Sequence, residues 1–388
     1  MKISQRIAAS RPLATTAMHG RVEAMKLEGR EVIDFSIAIS HFPAPEPVLR
    51  AVREGLSSQR SLPYTAVVGA AGLRDSLLRK LREENRLSAR RDEVIVTNGA
   101  KQALYEALYV MTDPGDSVIV FRPHWPAYVA TAELLGLRPL LVDLPARITP
   151  AFLDSLPPAR VLIINNPHNP TGKVYGRDEL EAIAAWLARR QCHAIVDESY
   201  EKLIFSGRHH SLAALCDWRA LGIVTIFSAS QSYAMMGWRA GFALAPAAVV
   251  DAMQTLQGPI TAAAPALTQL ATQAAFACGD PSDMLADYRT RRDLVVDMFA
   301  PVPWIDMPSP DSGPYLWGDV SRLTMDTVGF AEALLERQAV AVMPGDALGV
   351  PGFIRIGFIS DDVATLRRGA EAIIRFGNEF AGRQPKQG

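Results

Sequence analysis

Short apolar runs of strand length alternate with helix-like stretches through the middle of the chain. Val94–Thr97 precedes a helical pattern that begins near Ala100, and the run at 118–121 precedes another near Pro126. Further runs lie at 161–164, 194–196 and 223–227, with a helical pattern over Arg177–Arg190 between the first two. These runs are rich in Val and Ile and lack polar alternation, as strands buried on both faces of a mainly parallel sheet require. Alternation with helices makes the fold class α/β. The ends differ: a helix-and-extended arm precedes about Pro45, and a long helix from roughly Asp283 leads into mixed strand and helix. The predicted boundaries are an arm with part of a small domain at 1–45, a large domain at 46–285, and a C-terminal small domain at 286–388. No internal repeat is visible, and the polar tail at 382–388 is expected to fray.

Composition narrows the function. The 388 residues are 49% hydrophobic and 21% charged with a formal net charge of -1, and no block of like charges marks a nucleic-acid-binding face. The first twenty residues have no apolar core of signal-peptide length, and the apolar stretches at 241–250 and 262–277 are too short or too interrupted to span a bilayer. Three scattered cysteines argue against a disulfide framework or a cysteine-based zinc site. The expectation is a cytoplasmic enzyme with no metal, membrane or nucleic-acid partner. Of the 40 basic residues only seven are lysines, at 2, 26, 80, 101, 173, 202 and 386.

In an open α/β sheet the ligand crevice lies beyond the C-terminal strand ends. After Val94–Thr97 come Asn98, Gly99, Ala100 and Lys101; a glycine turn into a helix start leaves backbone N–H groups free for an anion, although taken alone this is a common turn. After 161–164 comes the rigid loop Asn-Asn-Pro-His-Asn-Pro-Thr-Gly at 165–172. After 194–196 come Asp197, Glu198, Ser199 and Tyr200, where a carboxylate at a buried strand end can cap the chain or carry a buried ion pair. After 223–227, Ser228 and Ser230 precede Arg239, which suggests an oxyanion-binding segment.

In this order and spacing, the segments resemble the class I/II aminotransferases, the aspartate-aminotransferase-like branch of the fold type I pyridoxal-phosphate enzymes, from about Ile3 to Phe380. The resemblance implies a large domain carrying pyridoxal 5′-phosphate and a small domain that closes over the substrate. It casts Asp197 as partner of the pyridine nitrogen, keeping the ring an electron sink, and Asn169 and Tyr200 as hydrogen-bond partners of the ring oxygen. Trp125 matches the aromatic stacked on the ring. Gly99, Ala100, Lys101, Ser228, Ser230 and Arg239 match the phosphate cup. Tyr64 matches the tyrosine that reaches the phosphate from the partner subunit, which implies a homodimer. Arg355 matches the fork for the substrate α-carboxylate, with Ala38, Asn169 and Trp125 also expected at the substrate.

Two positions depart from the pattern. The Schiff-base lysine should follow Ser230, and the chain has Gln231. An amide supplies neither the covalent link nor the base that moves the α-proton, so transfer should be very slow or absent. Lys101, Lys173 and Lys202 do not occupy the position from which the family delivers its amine. Gln231 is then an introduced substitution, a natural change of chemistry, or the mark of a cofactor-binding pseudoenzyme; the retained Asp197, Asn169, Tyr200, Ser228, Arg239 and Arg355 favour the first. Cofactor is expected without a covalent link, as pyridoxamine phosphate or as an external aldimine with an amino substrate. The second departure is Ala38 where the family has glycine, with His41 beside it. It favours a bulky or specialised amino acid, such as one of secondary metabolism, with Ile37, Ala38, His41, Trp125, Tyr315 and Trp317 as pocket candidates. The activity expected is amino transfer between an L-amino acid and a 2-oxo acid; the alternatives are elimination, decarboxylation or oxidative deamination on the same fold, or binding without catalysis.

Overall fold

Strands that are apolar at every position need cover on both faces, and the architecture supplies it. The computed structural model describes residues 3–8, 10, 12–58, 62–360 and 362–383; residues 384–388 of the tail lie outside the described residues. In chain order the strands are β1 (Ile33–Asp34), β2 (Val94–Thr97), β3 (Ser117–Arg122), β4 (Arg138–Asp143), β5 (Val161–Asn165), β6 (His193–Asp197), β7 (Ile223–Ser228), β8 (Gly241–Leu244), β9 (Tyr315–Asp319), β10 (Val340–Ala341), β11 (Met343–Pro344) and β12 (Phe353–Gly357).

Seven of them form one sheet in the order β2-β8-β7-β6-β5-β3-β4. Every pairing from β7 to β4 is parallel, and β8 runs antiparallel to both neighbours. Alternate side chains enter separate cores: Val94, Val96, Leu162, Ile164 and Val196 on one face, Ile95, Ile163, Ile195, Val224 and Ile226 on the other. Each fully buried Val, Ile or Leu contributes roughly 1.5–3 kcal/mol, so five double-faced strands account for much of the stability.

Two strands escaped the sequence pattern. β4 is a half-exposed edge strand with Arg138 and Asp143 at its ends, and β8 is the short first part of the apolar run that Pro246 breaks. Because β8 runs backwards, its first residue, Gly241, sits beside Ser228 and Thr97 at the edge where the parallel strands end. A Cβ on Gly241 would collide with the backbone of Gly99 and Ala100, so glycine lets the segment after Arg239 pass against that turn.

A third core joins the arm to the C-terminal part. It packs Phe35 with Tyr288 of the helix Ser282–Phe299, with Phe330 and Ile354, and with Phe376 of the helix Val363–Arg383. There β11-β12-β9 form an antiparallel sheet and β1 pairs in parallel with β10. Among the described residues no helix is long and apolar enough to cross a membrane.

The helix Ala100–Met111, whose start faces the crevice, buries Glu106 completely. One carboxyl oxygen accepts from Gln102 Nε2 at 2.7 Å and the other has no partner. Burial pushes this carboxyl up to about 7, against the pull of the Gln102 hydrogen bond. A folded pKa above the unfolded one makes the contribution complete below about pH 4.5 and lost as pH rises to 7, at roughly 1.4 kcal/mol per pH unit. The neutral isostere Glu106→Gln should therefore be more stable than the parent at pH 8, by up to about 3 kcal/mol, and no more stable at pH 4. Urea unfolding at the two pH values measures this difference; equal differences at both would show that Glu106 does not titrate in this range.

Candidate active site

The C-terminal ends of β2, β3, β5, β6 and β7, with the segments that follow them, converge on one cavity of about 520 Å³, within the range of small-molecule sites. β2 ends in Asn98 and Gly99, and the helix from Ala100 starts immediately after. Gly99 has φ +81°, and a Cβ there would overlap Arg239 Nη2, so the turn needs glycine for both its conformation and its neighbour. Arg239 itself is left-handed, with φ 56° and ψ 52°, and Nη1 donates to the Met236 carbonyl at 3.0 Å. A non-glycine residue held there carries on the order of 1–3 kcal/mol of strain, an outlier consistent with a binding role. Ser228 closes β7 and its Oγ accepts from the Ser230 amide at 3.1 Å. Ala100, Lys101, Ser228, Ser230 and Arg239 all line the cavity, a set of hydroxyls, a guanidinium and a helix start that suits a phosphate.

Asp197 ends β6 and lies buried in the cavity wall. Its Oδ2 accepts from Tyr128 Oη at 2.7 Å, and its Oδ1 accepts from the Ser199 amide at 3.0 Å and from Ser199 Oγ at 2.6 Å. Burial raises its pKa despite these three donors. Among the described residues no basic side chain pairs with it. Trp125 lines the same cavity and meets Tyr128 edge-on, with centroids 5.4 Å apart. Asn169 Nδ2 donates to Tyr200 Oη at 3.3 Å, and burial holds the Tyr200 phenol protonated, well above its ordinary range. Asn165 positions this group: its Oδ1 accepts from the Asn169 amide at 2.7 Å and its Nδ2 donates to the Asp197 carbonyl at 2.9 Å.

Gln231 also lines the cavity, and its Nε2 donates to the Ala38 carbonyl at 3.3 Å. Ala38 thus meets the site through its backbone, and Ile37 through the cavity wall. Arg355, 1% exposed on β12, does not face the open cavity. Its Nη1 donates to Asn169 Oδ1 at 3.1 Å, Nη2 donates to the Ser36 carbonyl at 2.7 Å, and the guanidinium lies 3.9 Å over the Tyr315 ring. Trp317 stacks on Phe353 instead of entering the cavity. His41 bonds the Ile359 carbonyl at 3.0 Å and Arg291 at 3.2 Å, and lines a neighbouring cavity of about 340 Å³. Tyr64 is 97% exposed and borders a separate surface cavity with Pro63 and Ala262.

Lysines elsewhere are engaged. Lys173 pairs with Glu179 at 2.7 Å, and Lys202 with Asp280 at 2.7 Å and Glu84 at 2.9 Å. Lys101 alone among the described lysines lines the cavity, with its ammonium 5.3 Å over the Trp125 ring. Burial, and then the nearby Arg239 charge, lower its pKa. Behind Asp197, Glu198, Glu201 and His209 bring ligand atoms within 4.8 Å of one another, but Lys80 already neutralises Glu201. Tyr128, Asn165 and Ser199 are functional neighbours that sequence reasoning assigned no role. A tyrosine three residues after Trp125, on the first turn of the helix Pro126–Leu134, was the available signal for Tyr128.

A family model for aminotransferases of class I and II matches residues 30–373. The chain belongs to that family. It is similar to the aspartate aminotransferase of Streptomyces avermitilis, at 32% identity over 93% of each chain. It is also 32% identical to the aspartate/prephenate aminotransferase of Thermus thermophilus, over 96% of this chain and 98% of the relative. The solved aspartate aminotransferase from Thermus thermophilus with maleate superposes with a TM-score of 0.91, at 30% identity, covering 97% of this chain and 100% of that one. The fold is thus the fold type I transferase fold, and the chain is an aminotransferase of the pyridoxal-phosphate-dependent kind. The cavity's chemistry fits that cofactor: an anion-binding end at Arg239, an aromatic wall at Trp125, and a buried carboxylate without a cation at Asp197.

This aminotransferase should lose its grip on the cofactor in the Gly99→Ala variant, because the new methyl displaces Arg239 and strains the turn. The expected fall in affinity for pyridoxal 5′-phosphate or inorganic phosphate is at least about tenfold, the worth of one charge-assisted hydrogen bond. Calorimetric titration measures it, and unchanged affinity for both ligands would remove Arg239 from the phosphate end.

Proposed function

We propose that this chain holds pyridoxal 5′-phosphate chemistry for amino transfer between an L-amino acid and a 2-oxo acid, with Gln231 stalling turnover while binding is retained. The observation that carries this reading is Asp197: a buried carboxylate, held by Tyr128 and Ser199, without a cationic partner among the described residues. In this reading Asp197 keeps the pyridine nitrogen protonated, and Tyr128 and Ser199 orient its two oxygens. Arg239, Ser228, Ser230 and the N–H groups at Ala100 and Lys101 hold the phosphate. Trp125 would cover one face of the ring, and Asn169 and Tyr200 would bond its oxygen. The cofactor, when bound, withdraws electrons from the substrate Cα; the chain's task is to orient the substrate and move one proton.

Arg355 is the fork for the α-carboxylate, released from Asn169 and the Ser36 carbonyl as substrate arrives. Lys101, without a carboxylate partner among the described residues, places its ammonium in the cavity, where it suits a second carboxylate on the substrate side chain. Relatives named for aspartate and prephenate agree with an acidic or bulky acidic amino acid. The exposed Tyr64, with Leu62 and Ile260 also exposed nearby, supports a homodimer in which Tyr64 completes the partner's site.

Products test the reading. The Gln231→Lys variant, given an acidic L-amino acid and a 2-oxo acid, should yield the exchanged 2-oxo acid and amino acid. Ammonia, carbon dioxide or thiol in their place would mean elimination, decarboxylation or oxidation. Bound cofactor with no product would support the pseudoenzyme, which the present Gln231 favours as the second reading.

A further inference from the structure

Many surface arginines of this chain face a carboxylate, as Arg53 faces Glu46, Arg91 faces Asp75 and Arg189 faces Asp154. A second pocket, of about 150 Å³, gathers basic groups instead: Arg86, Arg177, Arg208 and His210 line it, and it shares no residue with the cofactor cavity. Three segments supply them. Arg86 follows the helix Ala71–Glu83, Arg177 opens the helix Arg177–Arg190, and Arg208 and His210 lie in the loop after β6. Among the described residues neither Arg86 nor Arg208 has a carboxylate partner. Arg177 donates to Glu181 at 2.7 Å through Nε, which leaves its two terminal nitrogens. Glu84, the carboxylate in the lining, is held by Lys202 at 2.9 Å and faces Lys80 at 3.6 Å. Burial first, then the charges of Arg208, Arg177 and Arg86, hold His210 below its ordinary range, against the pull of Glu181.

The wall behind these groups is fixed. The His210 carbonyl accepts from Asn166 Nδ2 at 3.0 Å, and Asn166 Oδ1 accepts from the Tyr175 amide at 3.0 Å. Arg86 is left-handed, with φ 59°, where glycine would be the unstrained choice. His209 Nε2 and Ser211 Oγ are closed off from the pocket that their residues line, so the donors open to it are the guanidiniums and His210. Like charges converge at a cost that a counter-ion removes, and planar guanidiniums match the oxygens of a tetrahedral oxyanion. Two guanidiniums without a counter-charge call for two negative charges, and a monocarboxylate would leave one unanswered. We infer that this pocket binds a phosphate dianion, free or as the terminal group of a small ester, with Arg86 and Arg208 as the binding pair and Arg177 and His210 in support. It is separate from the phosphate cup at Arg239 and stands independently of the cofactor reading.

Calorimetric titration of the full-length chain tests the inference, with pyridoxal 5′-phosphate present in excess so that the Arg239 cup is filled. Inorganic phosphate is expected to bind at one further site per chain, with Kd on the order of 0.1–1 mM at low salt, and added sodium chloride should weaken it. In the double variant Arg86→Gln/Arg208→Gln the affinity should fall at least about tenfold. The control Arg189→Gln/Arg368→Gln removes the same net charge from surface arginines that face carboxylates, and it should keep the parent's affinity. Glucose 6-phosphate separates the two sources: binding as tight as inorganic phosphate means that an ester enters, and its exclusion means the free anion. No further site in the parent, an affinity unchanged in Arg86→Gln/Arg208→Gln, or an equal loss in both double variants would overturn the inference. The two double variants decide the matter with or without bound cofactor.

Discussion

Gln231→Lys should raise the rate of amino transfer by at least about 10²- to 10⁴-fold, the usual worth of a positioned general base. The position is prepared for it. Residue 231 sits in the helix Ala229–Ser232, directly after the end of β7, and its side chain already reaches the cavity. Neither Lys173 nor Lys202 supplies this amine, since both are held in ion pairs, and the Lys101 ammonium stands over the Trp125 ring. Borohydride treatment followed by mass spectrometry should then fix the cofactor to the peptide carrying residue 231, and should fix none there in the parent. Rates are read with an acidic amino donor; Gln231→Arg, cationic but unable to link, is the control and should stay inactive. A lysine variant that binds cofactor and stays at the parent's rate would show that more than this side chain has been lost.

Asp197→Asn should act in opposite directions on the empty and the loaded chain. Without cofactor, Asp197 is a buried carboxylate whose pKa burial has raised, so near neutral pH its charge is a burden to the fold. The sign follows: the contribution is complete below the unfolded pKa and lost as pH rises through the folded one. The neutral amide removes that loss, and the melting temperature of the empty chain should rise on the order of 1–3 °C at pH 7. With cofactor, the same change deletes one half of a buried ion pair, which costs about 3–5 kcal/mol, or roughly 10²- to 10⁴-fold in affinity. Thermal shifts with and without pyridoxal 5′-phosphate read both arms. A variant as stable as the parent when empty and as tightly loaded when full would remove Asp197 from the site.

Which parts of this were legible in the sequence follows from where the information lies. The strands β2, β3, β5, β6 and β7 are continuous apolar runs because both faces are buried, and the runs reveal them directly. β4 alternates between exposed and half-buried positions at the sheet edge, and its pattern resembles a loop. β8 is four residues long and its role depends on neighbours from two distant segments. In the site, Gly99, Ser228, Ser230 and Arg239 were readable because the turns that hold them are local. Tyr128 was not, because its partner Asp197 is 69 residues away and no spacing rule links them. The gap at 231 was visible as a residue type, whereas the bond from its amide to Ala38, across 193 residues, belongs to the meeting of two cores.

The bond from Arg355 to Asn169 has a mechanical meaning. Arg355 belongs to the core formed by the arm and the C-terminal part, and Asn169 to the loop after β5 of the main sheet. The guanidinium is therefore a latch between them, worth about 1.5–3 kcal/mol as a hydrogen bond to a charged group. In the proposed reading, a substrate carboxylate that takes Nη1 would exchange one fastening for another across the same gap.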